Sequence, residues 1–385
     1  MKIVMGSPFL YPAIAYGGAA RAAYDLACSL QQLGHQVSVI TTDVWDAQHR
    51  FNGTPHSAPF EVYRLKNVSN SMAYWCQFYT PVGFKKVGEV LAGADILHLH
   101  TYRNLLNDRL ARLASQRKLP FVVTGHGTIP IRDRFFKIKR VYDSFIGEWQ
   151  LNHASGFIAV SQSEKVGMKK FGLPEAKIEV ISNGIPTIQA AEPGKFRKKW
   201  NIESDKRIAL FLGRITEQKG IQFVVKAFQP LGEQSVLVIA GNDMGYENQI
   251  RKLIQDLKLE TRVVRTGILD DEEKAMAFTD ADVTVYPAHD EAFGLVPAES
   301  ILCGTPVIVC DNSGFAEFIK KSGGGEIVSW GDVSGLGKAI QTCFDHGKDL
   351  KEMEKIKDLL MEQHNWGNVA KKTAEFYEER LSRKN

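Results

Sequence analysis

Apolar residues in this chain arrive in short blocks, and the blocks alternate between two periodicities. KIVMGS, HQVSVITT, ADILHLH, PFVVTGH and SGFIAVS are short apolar runs rich in β-branched residues, of a length that suits buried strands. Between the first two, AARAAYDLACSLQQLG sets apolar positions at helical spacing and stops at Gly34. Strand and helix alternating in this way predict a mostly parallel, doubly wound sheet over residues 1–190. The pattern then restarts. RIALFLGR, SVLVIAG, RVVRTG, DVTVYPA and TPVIVCD read as strands, with a helix predicted from Gly220 to about Phe228. The polar segment PTIQAAEPGKFRKK, Pro186 to Lys199, is the expected join. The reading is a first Rossmann-like domain over 1–190, a second over 191–365, and an amphipathic helix in WGNVAKKTAEFYEERL within 366–385. Two such domains facing one another would hold a ligand in a cleft between the carboxyl ends of their strands.

Composition narrows the class. The chain has 385 residues, 44% hydrophobic and 24% charged, which fits two ordinary globular domains. No stretch approaches the roughly 20 apolar residues of a membrane span. MKIVMGSPFLYP lacks the long apolar region of a signal peptide. The five cysteines form no Cys-x-x-Cys pair, so no zinc or disulfide framework is expected, and a reducing cytoplasm fits. Charge is uneven: 21 Lys+Arg against 13 Asp+Glu over 1–190 gives +8, and 27 against 31 over the remainder gives −4. A basic first half suits a polyanionic partner or a membrane surface, and scattered surface charge accounts for it equally. Nucleic acid is not expected, because no stacking platform or binding motif accompanies the charge.

Four stretches carry candidate chemistry. In EAFGLVPAES, Glu291 precedes a glycine turn, and Gly294, Leu295 and Val296 present free N–H groups at a helix start. Pro297 suits the first turn, and Glu299 is expected there too, where the helix dipole favours an acid. In LFLGRITEQKG, Arg214 and Lys219 stand in a strand-to-helix turn that suits a phosphate or diphosphate, with a solvated surface pair as the plain alternative. In AYGGAARAAY, Gly17 and Gly18 let backbone approach a phosphate, although the full dinucleotide-binding glycine spacing is missing. In VVTGHGT, His126 lies just past a strand between two glycines. His98 and His100 alternate along ILHLH and read more simply as packing residues.

Together these pieces resemble the retaining glycosyltransferases of family 4. The resemblance covers nearly the whole length and includes VISNGI, GRITEQKG and EAFGLVPAE. It implies the GT-B fold, two Rossmann-like domains facing across a cleft with a C-terminal helix crossing back to the first. It implies transfer of a sugar from a UDP- or GDP-linked donor to an acceptor hydroxyl. Arg214 and Lys219 would hold the diphosphate, with the amides of Leu295 and Val296. Glu299 would accept from the ribose, Glu291 would sit near the sugar, and Gly18 would close the phosphate side. Ile268 would meet the nucleobase with its backbone, and His126 would contact the sugar or position the acceptor. Pro186 departs from the family, which has an acid there. Nucleotide-sugar epimerases share the architecture but lack the paired motifs, and a non-catalytic nucleotide-sugar binder would have little reason to keep these cations and acids.

The acids Glu291 and Glu299 fall to different parts of one donor, so front-face attack is expected over a double displacement. No metal or other cofactor is expected: Asp280-Ala281-Asp282 has a metal-binding form but lies at a helix end, away from the phosphate loop. Finally, IRDRFFKIKRVY sets Arg132, Arg134, Lys137, Lys139 and Arg140 among aromatic residues. That combination fits a peripheral contact with an anionic membrane, or the phosphate of a lipid-linked or glycan acceptor, with a solvated helix face as the alternative.

Overall fold

The apolar blocks become the central strands of two separate sheets. A computed structural model describes residues 1–53, 58–130, 136–185 and 188–382. The first unit is Met1–Gly184 with His364–Asn385, and the second is Ile185–Gln363.

In the first unit the strands are β1 (Lys2–Gly6), β2 (Gln36–Thr42), β3 (Glu61–Asn67), β4 (Pro81–Val82), β5 (Ile96–His100), β6 (Phe121–Thr124), β7 (Gly156–Ala159) and β8 (Ile178–Val180). They lie in the order β4-β3-β2-β1-β5-β6-β7-β8. Only β3 with β4 is antiparallel. The second unit holds β9 (Arg207–Leu212), β10 (Ser235–Ala240), β11 (Val263–Gly267), β12 (Val283–Tyr286), β13 (Val307–Cys310) and β14 (Gly325–Val328). Their order is β11-β10-β9-β12-β13-β14, parallel throughout. A parallel sheet is covered by helices on both faces, so its inner strands cannot alternate apolar with polar. β5 is accordingly buried at every position, its two histidines included.

Each sheet has one place where the strand order reverses. β1 lies between β2 and β5, and β9 lies between β10 and β12. The carboxyl ends of strands flanking such a point diverge and leave a crevice within the unit. The loops after β9 and β12 carry Arg214, Lys219 and Glu291.

The boundary differs from expectation. The division falls after Gly184, upstream of the whole Pro186–Lys199 segment; a Cβ on Gly184 would stand 2.3 Å from the Trp366 ring. Within that segment the helix Lys195–Lys199 belongs to the second unit, because Asp280 accepts from the Gly194 N–H at 2.6 Å and the Arg197 N–H at 3.0 Å. Pro186 lies outside the described residues. Asp282 in turn accepts from the Ile208 N–H at 2.7 Å and from Arg207 at 2.9 Å. The Asp-x-Asp pair thus serves as backbone and arginine acceptors at the foot of the sheet.

The last helix, Trp366–Ser382, packs into the first unit. Val369, Ala370, Phe376 and Tyr377 join a core with Ile3, Met5, Val37 and Ile96. Tyr377 is fully buried and its hydroxyl lies 2.6 Å from His98 Nδ1.

Candidate functional site

The densest constellation sits at the strand-order reversal of the second sheet. After β9 the chain passes Gly213 and Arg214. A Cβ on Gly241, at the end of β10, would lie 1.8 Å from the Gly213 carbonyl oxygen, so these strand ends approach as only glycine allows. A short turn, Glu217–Lys219, then leads to Gly220 at φ +74°. A Cβ there would meet the Pro287 carbonyl oxygen at 2.6 Å. The His289 N–H donates to the Gln218 carbonyl at 2.9 Å and fastens the two loops together.

The fastening buries Lys219 against the end of β12. Its Nζ donates to the Tyr286 hydroxyl at 2.6 Å and is ion-paired with Glu291 Oε2. Tyr286 donates to the same Oε2 at 3.1 Å. The Glu291 backbone is fixed from the other side by the Gly314 N–H at 2.8 Å. Half-buried Arg214 lies within electrostatic reach of both charges. Burial lowers the Lys219 ammonium below its ordinary value, Glu291 opposing and Arg214 assisting. Burial pushes the Glu291 carboxyl upward, but Lys219, the Tyr286 hydrogen bond and Arg214 together outweigh it and hold it low. The acid is therefore a carboxylate, engaged through one oxygen. Burial and the Glu291 charge raise the Tyr286 hydroxyl well above its usual range.

The helix Leu295–Leu302 begins beside this cluster. Gly294 takes φ +100°, and no side chain caps the helix start, so the amides at Leu295 and Val296 are offered outward. Glu299 is the fifth residue of this helix, not in its first turn as expected, because the helix already starts at Leu295, two residues before Pro297. What holds it is a cation from another helix. Lys274, on Asp271–Asp280, donates to Glu299 Oε1 at 3.2 Å. The Glu299 charge also reaches Tyr286. Ile268 is exposed directly after β11.

The other expected residues lie in the first unit. Gly17, at φ +81°, precedes the uncapped helix Gly18–Gln32. His126 takes φ +48° just past β6, a costly conformation for a residue with a side chain. Its loop is held by several contacts: Glu164 accepts from the Gly127 N–H at 2.5 Å, and Thr128 Oγ1 donates to the Gly125 carbonyl at 2.6 Å. Arg103 donates to the Ile129 carbonyl at 2.8 Å. His126 Nε2 lies 3.0 Å from His100 Nδ1. Burial keeps both imidazoles neutral, His126 lowered to about 4 and His100 well below its usual value. His100 therefore does more than pack. His98 is tied to Thr124 at 2.6 Å and to Tyr377.

Sequence reasoning missed Tyr286 and Lys274. Tyr286 was visible as the last residue of its strand, five before Glu291. Lys274 gave no local signal, since it meets Glu299 across 25 residues of chain.

Of the basic segment, Arg132 and Arg134 lie outside the described residues. Lys137 and Arg140 are exposed and Lys139 half-buried on the helix Phe136–Tyr142. Phe136, Ile138, Val141 and Phe145 are exposed beside them. Among the described residues, no helix is long and apolar enough to cross a membrane.

The family model described as Glycosyltransferase Family 4 matches residues 16–189, and that described as Glycosyl transferases group 1 matches residues 192–359. An uncharacterized glycosyltransferase of Methanocaldococcus jannaschii is 28% identical, over 98% of this chain and 98% of the relative. The alpha-monoglucosyldiacylglycerol synthase of Streptococcus pneumoniae is 25% identical, over 98% of this chain and 85% of the relative. Among solved structures, Anabaena Alr3699/HepE in complex with UDP-glucose matches with a TM-score of 0.79 at 20% identity, over 98% of this chain and 100% of that one. That likeness shows the fold, which is GT-B. The chain belongs to glycosyltransferase family 4.

Proposed function

We propose that this family 4 glycosyltransferase moves a sugar from a UDP- or GDP-linked donor to an acceptor hydroxyl, retaining anomeric configuration and using no metal ion. The observation that carries the reading is the cluster of Arg214, Lys219, Tyr286 and Glu291 beside an uncapped helix start. Arg214, Lys219 and the amides of Leu295 and Val296 bind the diphosphate, the task a metal performs elsewhere. Both protein donors to Glu291 use Oε2, so Oε1 accepts from a sugar hydroxyl. Lys274 takes one oxygen of Glu299 and leaves the other for the ribose.

The chemistry follows from this assignment. The bond from the anomeric carbon to the diphosphate oxygen breaks, and its electron pair leaves with the phosphate. The acceptor oxygen bonds that carbon from the same face and passes its proton to the departing phosphate oxygen. The cations and amides stabilise the charge that develops there. Glu291 is held ionised by Lys219, so it steadies the positive charge on the sugar and donates no proton. Gly17 and Gly18 leave room for backbone to approach a phosphate, Ile268 offers backbone to the base, and neutral His126 bonds the sugar or acceptor.

The basic segment with Lys137, Lys139 and Arg140 receives a lipid-linked or phosphate-bearing glycan acceptor at an anionic membrane surface. Its exposed apolar residues support this, as does the relative that glucosylates a lipid. The test is transfer and donor hydrolysis over a panel of UDP- and GDP-sugars, with and without excess chelator. Arg214→Ala and Lys219→Ala should each lower turnover about 10²–10³-fold, and chelator should change nothing. Near-full turnover in both variants would sink the electrostatic account.

A further inference from the structure

A second apolar surface stands on the first unit, apart in sequence from the basic segment. Between β3 and β4 the chain makes a short excursion containing the helix Asn70–Cys76. Its amphipathicity is inverted. Asn70, Ala73 and Tyr74 face inward and are buried. Met72 and Trp75, three apart on the outer side, are 46% and 45% exposed. Val68 at 61%, Phe78 at 39% and Val82 at 45% extend the patch.

These side chains are not exposed because the segment is loose. Buried Asn67 pins the neck: its Oδ1 accepts from the Thr80 N–H at 2.7 Å, and its Nδ2 donates to the Ser69 carbonyl at 2.8 Å. The Val68 N–H donates to the Thr80 carbonyl at 3.0 Å. Arg50 reaches the Asn67 carbonyl at 2.7 Å and the Val68 carbonyl at 3.2 Å. Ser69 caps the helix by accepting from the Met72 N–H at 3.2 Å. A fixed backbone that holds five apolar side chains in water marks a contact surface, since such groups otherwise fold inward.

Charge selects the partner. From residue 62 to residue 88 the chain carries Arg64, Lys66, Lys85 and Lys86 and no acid. Lys66, Lys85 and Lys86 are exposed. Of the bracketing acids, Glu61 is engaged by Tyr63 at 2.7 Å and Ser38 at 3.3 Å, and exposed Glu89 lies one helix further along the chain, past Lys85 and Lys86. Aromatic and apolar side chains flanked along the chain by lysines, with Lys66 paired beside Val82, suit the headgroup boundary of an anionic bilayer. We infer that the Val68–Val82 excursion docks the first unit on an anionic membrane, with Trp75 and Phe78 entering the headgroup layer. The inference deepens the membrane half of the reading above, and supplies a second, separate point of attachment. One weak anchor binds marginally, whereas two on one body bind together and fix its orientation.

The test uses the full chain with phosphatidylcholine vesicles, with and without phosphatidylglycerol. Trp75→Ala with Phe78→Ala should lower the partition coefficient on anionic vesicles about tenfold, with an unchanged melting temperature. In parallel, brominated lipid should quench the wild-type tryptophan fluorescence, and the conservative Trp75→Phe should remove that component without disturbing the fold. Absence of binding by the wild type, or equal binding by the double variant, overturns the inference. So does loss of binding only in Lys137→Ala with Arg140→Ala, which leaves the basic helix as the sole anchor. A doubled mass in solution that Trp75→Ala with Phe78→Ala halves would make the patch a contact between copies instead. Donor hydrolysis in the absence of vesicles reports on the transferase reading separately.

Discussion

Lys219 and Tyr286 both bond Oε2 of Glu291, so Oε1 is the oxygen that a ligand hydroxyl meets. Glu299 repeats the scheme with Lys274 on Oε1. Each acid is gripped by a lysine, kept charged or oriented, and left with one side to bind. Glu291→Gln keeps that shape and removes the charge opposite Lys219. Turnover should fall about 10²–10³-fold with an unchanged circular dichroism spectrum; a variant that turns over normally would reduce Glu291 to a structural partner. The two acids of EAFGLVPAES were legible in the sequence as candidates with different duties. Their lysines were not legible to the same degree. Lys219 was read as a phosphate ligand and Lys274 not read at all, because ion pairs between separate elements leave no periodic trace along the chain.

Most strands were legible in proportion to their burial, the half-exposed edge strand β11 being read as well from its β-branched run. β1, β2, β5, β6, β9, β10 and β12 are central or nearly so, and a continuous apolar run announces each. β3 alternates exposed or half-buried positions with buried ones, β4 has two residues and β8 three, so their patterns fall below what periodicity can detect. The last helix was visible as amphipathic, yet not the hydrogen bond that fixes it. Tyr377 places its hydroxyl on His98 Nδ1 at the centre of the first sheet. Tyr377→Phe strands a buried ring nitrogen and should cost about 1–3 kcal/mol. Chemical denaturation read by hydrogen exchange should show the loss in the first unit, with protection in the second unchanged. Equal loss in both units would contradict the assignment of this helix to the first.

The stability of the whole chain against pH has contributions of opposite sign in the first unit. Burial pushes the Asp108 carboxyl up to about 7, Arg112 opposing and Asp143 adding to it. Both its oxygens are buried without a hydrogen-bond partner among the described residues. The folded form therefore holds a proton that the unfolded chain releases near pH 4. That contribution is complete below about pH 4 and is lost as pH rises to about 7. His98 acts in the other direction, as do His100 and His126. Burial lowers His98 to about 3, so the unfolded chain alone takes a proton below about 6.5, and stability falls as pH drops through that window. Asp108→Asn removes the first slope only. Relative to wild type, the variant should gain stability between pH 4 and pH 7, by as much as roughly 4 kcal/mol, measured by urea unfolding at each pH. A difference that is flat with pH would mean Asp108 titrates normally. The second unit is one continuous stretch, Ile185–Gln363, while the first is interrupted by it and resumes only at His364. On the ribosome the order of completion is thus inverted. The amino-terminal half emerges first yet stays unfinished, its apolar seat for Tyr377 open, through the tens of seconds in which the intervening stretch is synthesised. The nascent chain carries this vulnerable half-built body until the helix Trp366–Ser382 has emerged, and that interval is when a chaperone would have most to do.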